Sequence, residues 1–300
     1  RFDAHAHMGQ SRVPVRGVKV TPSLPLRRRH MMAWIAAILA VSAVWYWRSG
    51  AGRRSDPSFS PLATAVARAV AEPFYRAEGA RVRVFGSDPA RAARTVEQAE
   101  FALAEIARLL HVDPPRRSVR VFLVPANGGW EPLSRGEGFR LDSLAVNLGD
   151  EIFLKDDPAQ IVRPDRLAHE LVHVVLRETY GTSIPLWLDE GLAGRVGLLV
   201  SRSYRAAKGR RLSGQWPGFA PNLVEPLPAL TARTALPDDP LRAQAFYRAA
   251  EVLVTLIEDT MASAQWPGYI AEVARGADWR AALETRLRGS AITLDDLEQS

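Results

Sequence analysis

From residue 59 onward the chain switches repeatedly between helical and strand-like spacing of its apolar residues. Leu62 to Tyr75 is alanine-rich and reads as a helix, whereas Arg81-Val-Arg-Val-Phe85 alternates with period two, as a strand does. Asp88-Pro89 then supplies a helix start, and Val96, Ala99, Leu103, Ile106 and Leu110 recur at helical spacing. Val119 to Val124 predicts another strand, Pro125 to Gly138 a glycine-bearing loop, and Asn147 to Leu154 a further strand. Pro164-Asp165 opens the next helix, with Pro at a first-turn position and an acid near the positive end of the dipole. From Leu167 to Leu176 nearly everything around a few polar residues is apolar, so this helix is expected to be buried. Gly181 breaks it and Ile184-Pro185 starts another. The remainder reads as mostly helical, with a Pro- and Gly-rich stretch from Gly214 to Pro240 and an amphipathic helix from Ala243 to Ile257. Strands interleaved with helices and followed by a helical half indicate an α+β domain over residues 59–300.

The N-terminal region follows a different pattern. Met31 to Trp47 is uncharged and largely apolar, and as a helix it spans roughly 26 Å, near the lower limit for crossing a bilayer. Arg27-Arg28-Arg29 precedes it, and Trp45, Tyr46 and Trp47 sit at its far end like an interfacial aromatic belt. We read residues 31–47 as a transmembrane signal-anchor, 1–30 as a disordered basic leader and 48–58 as a linker. The basic residues before the run outweigh those after it, placing the main domain on the extracytoplasmic side of the inner membrane. A cleaved signal peptide, cut after Val41-Ser42-Ala43, is the alternative; the aromatic cluster directly behind that site argues against it. Asp3-Ala-His5-Ala-His7 has a His-x-His metal spacing, but a proline-broken basic segment follows where a barrel strand would be needed.

Charge narrows the function classes. The sequence pI is about 10, yet residues 1–54 hold ten Lys/Arg against one acid. The whole chain is +6, so the +9 leader leaves −3 for the rest. A mildly acidic domain excludes a nucleic-acid partner as the first reading. There are no cysteines, so neither a disulfide framework nor a thiolate-bound metal is available.

The chemistry lies in His169-Glu170-Leu171-Val172-His173 and, on the following helix, Trp187-Leu188-Asp189-Glu190-Gly191. Two histidines four apart on a helix lie only about 40° apart around its axis, so both imidazoles can grip one ion. Glu170 adjoins the first histidine, where a carboxylate can hold and deprotonate a metal-activated water. Glu190 is placed to supply a third ligand, which leaves a fourth position open, as in a catalytic zinc site. Three polar residues on a buried helix are costly unless they are paired, and one metal ion would account for all of them together with Glu190. Hydrogen-bonded core residues are the alternative.

In these two stretches the chain resembles the gluzincin zinc metallopeptidases, and most closely the small peptidase MA-like group of bacterial envelope proteins. The resemblance implies a zincin-like fold and one Zn2+ bound by His169, His173 and Glu190, with Glu170 as general base and proton shuttle. It also implies peptide or protein substrates. Members of the group pair extended substrate with an open sheet edge, which assigns Glu151, Ile152, Phe153 and Leu154 as the substrate strand; an ordinary sheet strand is the alternative. Tyr247, within Phe246-Tyr247-Arg248, corresponds to the tyrosine that stabilises the oxyanion in related enzymes, with a packing role as the alternative. One departure stands out. Members often carry an acidic residue four positions after the third ligand, where this chain has Gly194. That substitution supports a second reading, a non-catalytic envelope scaffold or interaction protein that retains the metallopeptidase fold.

Overall fold

Short segments rich in valine, isoleucine and phenylalanine pair into one mixed sheet because such side chains fit a pleated surface buried on both faces. In the computed structural model the strands are Tyr75–Glu78 (β1), Val82–Gly86 (β2), Val119–Pro125 (β3), Ala145–Leu148 (β4) and Glu151–Asp156 (β5), in the order β1-β2-β3-β5-β4. β2, β3 and β5 run parallel in the centre, and β1 and β4 are antiparallel at the two edges. The structure describes residues 60–69, 75–126, 129–130, 144–157, 163–181, 184–209 and 223–288, all within one unit, Arg54–Ser300. The leader, the expected anchor Met31–Trp47 and the linker lie outside the described residues. Among the described residues no helix is long and apolar enough to cross a membrane.

Eight helices are described: Pro61–Ala69 (α1), Pro89–Leu110 (α2), Pro164–Tyr180 (α3), Leu186–Ala207 (α4), Leu227–Ala232 (α5), Pro240–Thr260 (α6), Trp266–Ala274 (α7) and Trp279–Leu287 (α8). α2 begins where Asp88 accepts from the Ala90 and Arg91 amides at 2.8 and 3.1 Å, with Pro89 at the first position. The period-two alternation of the central strands sorts their side chains between two cores. Val84, Val121, Leu123 and Ile152 join Leu103 and Ile106 of α2 and Leu171 of α3. On the opposite face Phe85, Phe122 and Phe153 lie in register across three strands, with ring centroids 5.0 Å apart at each step. Leu62 and Val66 of α1 cover that row. Full burial of each such side chain contributes about 1.5–3 kcal/mol, so the sheet is a rigid base for the helices above it.

Two expected boundaries differ from the observed ones. The helix expected from Leu62 to Tyr75 ends at Ala69, and Tyr75 opens β1. The sequence has Pro73 between the two elements, and an unbroken helix does not accommodate proline in its interior. The strand expected from Asn147 to Leu154 is a hairpin, β4 turning into β5 through Gly149-Asp150. Gly149 has φ 72°, the conformation that two-residue hairpins take with glycine at the first central position.

The hairpin overturns the assignment of Glu151–Leu154 as the open substrate edge. β5 is hydrogen-bonded to β3 on one side and β4 on the other, so its backbone has nothing left to offer an incoming strand. Its side chains are also committed. Ile152, Phe153 and Leu154 are buried, and Glu151 is 1% exposed. The Glu151 carboxylate accepts from the backbone and hydroxyl of Ser60, which caps α1, and pairs with Arg120 at 3.3 Å. The edge nearest the metal-motif helix is β4, which Arg177 of α3 ties down through Asn147 at 2.9 Å and the Gly149 carbonyl at 3.2 Å.

Candidate metal centre and its cleft

His169, Glu170 and His173 project from α3, while Asp189 and Glu190 sit in the first turns of α4. Two glycines bring the supporting helices close enough for these groups to meet. A Cβ on Gly197 of α4 would stand 3.1 Å from the Asp165 carbonyl oxygen and 3.2 Å from the His169 amide, so α3 and α4 cross tightly at the first histidine. A Cβ on Gly191 would lie 2.5 Å from the Ala250 carbonyl oxygen, which marks where α6 presses onto α4. The same contact carries Tyr247 into the cleft, with its ring centroid 6.3 Å from that of His169.

The donor atoms converge. Nε2 of His169 and Nε2 of His173 are 3.2 Å apart, and Oε2 of Glu190 is 3.3 Å from the first and 3.6 Å from the second. A tetrahedral zinc with arms of about 2.0–2.1 Å separates its ligands by about 3.3–3.4 Å, so these three atoms outline one face of such a tetrahedron. Hydrogen bonding alone does not account for the cluster. One proton shared between the imidazoles leaves Oε2 of Glu190 buried without a hydrogen-bond partner, an arrangement that proteins rarely tolerate. Two imidazoles and a carboxylate with no thiolate suit zinc. Among the described residues this is the one group of three or more His, Cys, Asp or Glu side chains that could hold a metal ion.

Electrostatics follow from burial and the neighbouring charges. Burial raises the Glu170 carboxyl above its ordinary range, and the two histidines only partly offset it. Burial opposes a charged His173, but Asp189 and Glu190 outweigh it and hold the imidazole well above its ordinary value. Burial also pushes Glu190 up, and the two imidazoles pull it well below the usual carboxylate range.

Sequence reasoning missed Asp189. Its Oδ1 lies 2.9 Å from Nδ1 of His173, so it fixes that imidazole with Nε2 turned to the centre, as carboxylates behind metal-bound histidines do. The available signal was its place beside Glu190 at the start of the second helix. Gly194 leaves room that Glu251 of α6 occupies, with Oε2 3.5 Å from where a Cβ would stand. Glu251 is bonded to Arg248 at 2.8 Å, and among the described residues Nδ1 of His169 has no hydrogen-bond partner.

A cleft of about 620 Å³ opens over the centre. Glu170, Tyr247, Ala145 at the start of β4 and Leu144 just before it line it, as do Leu198 and Leu241. The expected site residues therefore divide in two: His169, Glu170, His173, Glu190 and Tyr247 are brought together, whereas Glu151, Ile152, Phe153 and Leu154 are core residues.

No protein-family model matches the chain, and no curated protein matches it. Among solved structures it is similar to a single-site mutant of the M1 zinc metallopeptidase from Deinococcus radiodurans, at 14% identity and a TM-score of 0.37. The match covers 75% of this chain and 50% of that one, so the chain spans about half the length of that protein.

Proposed function

We propose that this chain is a zinc-dependent peptidase, held at the membrane by residues 31–47, whose site comprises His169, His173 and Glu190 as ligands and Glu170 as general base. The observation that carries the proposal is the spacing of three donor atoms as a tetrahedral face, with an orphaned carboxylate oxygen among them, beneath an open cleft. A zinc ion bound there supplies a Lewis acid that polarises the scissile carbonyl and acidifies water at an open position. Glu170 takes the water's proton and passes it to the departing amine, assistance typically worth about 10²–10⁴-fold. Tyr247, which lines the same cleft, donates a hydrogen bond from its hydroxyl to the carbonyl oxygen as negative charge develops there. Asp189 keeps His173 in the tautomer that offers Nε2 to the ion. β4, unpaired on its outer side among the described residues, accepts the peptide as an added strand; its Ala145 end reaches the cleft.

The test separates binding from chemistry. Glu170→Gln is expected to keep one equivalent of zinc by elemental analysis and to lose nearly all turnover of a mixed peptide library. Wild-type turnover in that variant would remove Glu170 from the mechanism. The unbraced Nδ1 of His169 favours a second reading, a scaffold that binds zinc without cleaving peptides. Stoichiometric zinc with an uncut library would select it.

A further inference from the structure

The cleft holds a cation that the peptidase mechanism does not use. Arg166 lies on α3 one turn before His169 and lines the cleft half-buried. Asp165, Arg248 and Glu251 beside it are engaged elsewhere. Asp165 is held by Arg163, with Nε–Oδ1 at 3.2 Å and a second contact at 2.5 Å, and Arg248 bonds Glu251 at 2.8 Å. Among the described residues nothing accepts a hydrogen bond from the Arg166 guanidinium.

Its position is unfavourable three times over. Burial works against the guanidinium charge, the neighbouring Arg163 adds repulsion that Asp165 only partly offsets, and the first turn of a helix is its positive end. Guanidinium does not escape by losing its proton in proteins. An arginine used only as apolar cover would extend its head to solvent or pair it, as Arg163 does. A carboxylate entering the cleft would offset all three at once, and planar guanidinium is shaped to receive one through two parallel hydrogen bonds.

We infer that Arg166 is the carboxylate-recognising residue of this cleft, so that the peptides it takes carry an anionic group about one helical turn from the metal centre. The inference rests on the peptidase reading for the word peptide but not for the binding event. The group is either a C-terminal carboxylate or an acidic side chain, and the two sources separate experimentally.

Fluorescence anisotropy is measured on chelator-treated full-chain protein, where no metal contributes to anion binding. The probes are two pairs of labelled, N-terminally blocked hexapeptide pools. One pair lacks acidic residues and has free or amidated C-termini; the other is amidated throughout and carries one glutamate or one glutamine. The wild-type protein is expected to prefer the charged member of one pair by about tenfold or more. Arg166→Gln should abolish that preference and leave binding of the neutral member unchanged, while Arg166→Lys should retain part of it. The pair that shows the preference identifies the source. Equal binding in both pairs by the wild-type protein overturns the inference without any variant, and so does a preference that survives Arg166→Gln. Cleavage is scored separately by mass spectrometry with zinc-loaded protein. Preference without cleavage keeps the inference and removes the peptidase reading; cleavage without preference does the reverse.

Discussion

Asp189 shows how much of the centre is set by residues that touch no ligand position. Its carboxylate is 29% exposed and makes one strong contact, the 2.9 Å approach to Nδ1 of His173. Removing it leaves Nδ1 of His173, whose side chain is 10% exposed, without that partner, at a cost of about 1–3 kcal/mol. It should also release the ring and lower the basicity of Nε2. Asp189→Ala is accordingly expected to weaken zinc binding by about 10–100-fold, measured by competition with a chromophoric chelator, and to lower the melting temperature of metal-free protein. Unchanged affinity would reduce the contact to a surface ion pair. At this scale the site was largely legible. The i, i+4 histidines fix one geometry on any helix, and the following Pro-started helix brought Glu190 within reach. Asp189 and Arg166 were not legible, because what a side chain braces or leaves unpaired depends on the element packed across from it, not on its neighbours in sequence.

The same limit applies to whole elements. Long, strongly periodic helices such as α2 could be read directly, and so could β3, whose two faces alternate cleanly. β1 was missed because Tyr75-Arg-Ala-Glu78 alternates over only four residues, directly behind an alanine-rich run that reads as a helix through Tyr75; it owes its conformation to its ladder with β2. The β4–β5 hairpin was hidden for a similar reason: Gly149-Asp150 is a turn signal set inside a run that otherwise reads as one strand. Helix crossing distance was the third property out of reach, and it yields a paired prediction. Replacing a mid-helix glycine by alanine gains about 1 kcal/mol of intrinsic helix propensity. At Gly191 the new methyl would stand 2.5 Å from a backbone oxygen of α6, a clash that no side-chain motion relieves. Overpacking of this kind costs about 1–3 kcal/mol, and more when backbone must move, so it outweighs the gain. At Gly194 the nearest atom is a side-chain carbon of Glu251 at 3.4 Å, an ordinary contact, and propensity should win. Gly191→Ala should therefore melt at a lower temperature than wild type and Gly194→Ala at an equal or higher one. The reverse order would mean that α4 and α6 are not held together as described.

At the scale of the whole molecule, pH and metal act on stability through different groups and in different directions. Asp156 closes β5 at 5% exposure, with Oδ1 2.5 Å from Nε of Arg91 but without a hydrogen bond between those two atoms. Burial raises its pKa from 3.8, Arg91 only partly offsets this, and Asp88 and Asp157 add to it. The folded chain thus holds that proton more tightly than the unfolded chain, so the contribution is complete below about pH 3.8 and is lost as pH rises through the folded value. Asp156→Asn, which resembles the protonated side chain, should be at least as stable as wild type in urea at pH 7, with the difference shrinking towards pH 4. A clear loss at pH 7 would show that the Arg91 pair outweighs desolvation. The metal acts in the stabilising direction. Its proposed ligands come from α3 and α4, both packed into the larger core, so an ion joining them cannot bind the unfolded chain in the same way. Binding to the native state alone adds about 2.7 kcal/mol when free zinc is 100 times its dissociation constant. In a domain of this size each kcal/mol shifts the melting temperature by about 2–4 °C, which predicts a rise of roughly 5–11 °C on adding zinc and its reversal by a chelator. His169→Ala, His173→Ala and Glu190→Ala should each melt at a temperature that no longer depends on zinc, whereas Glu170→Gln should keep the full shift. A zinc-dependent rise that persisted in the three ligand variants would place the ion elsewhere in the chain.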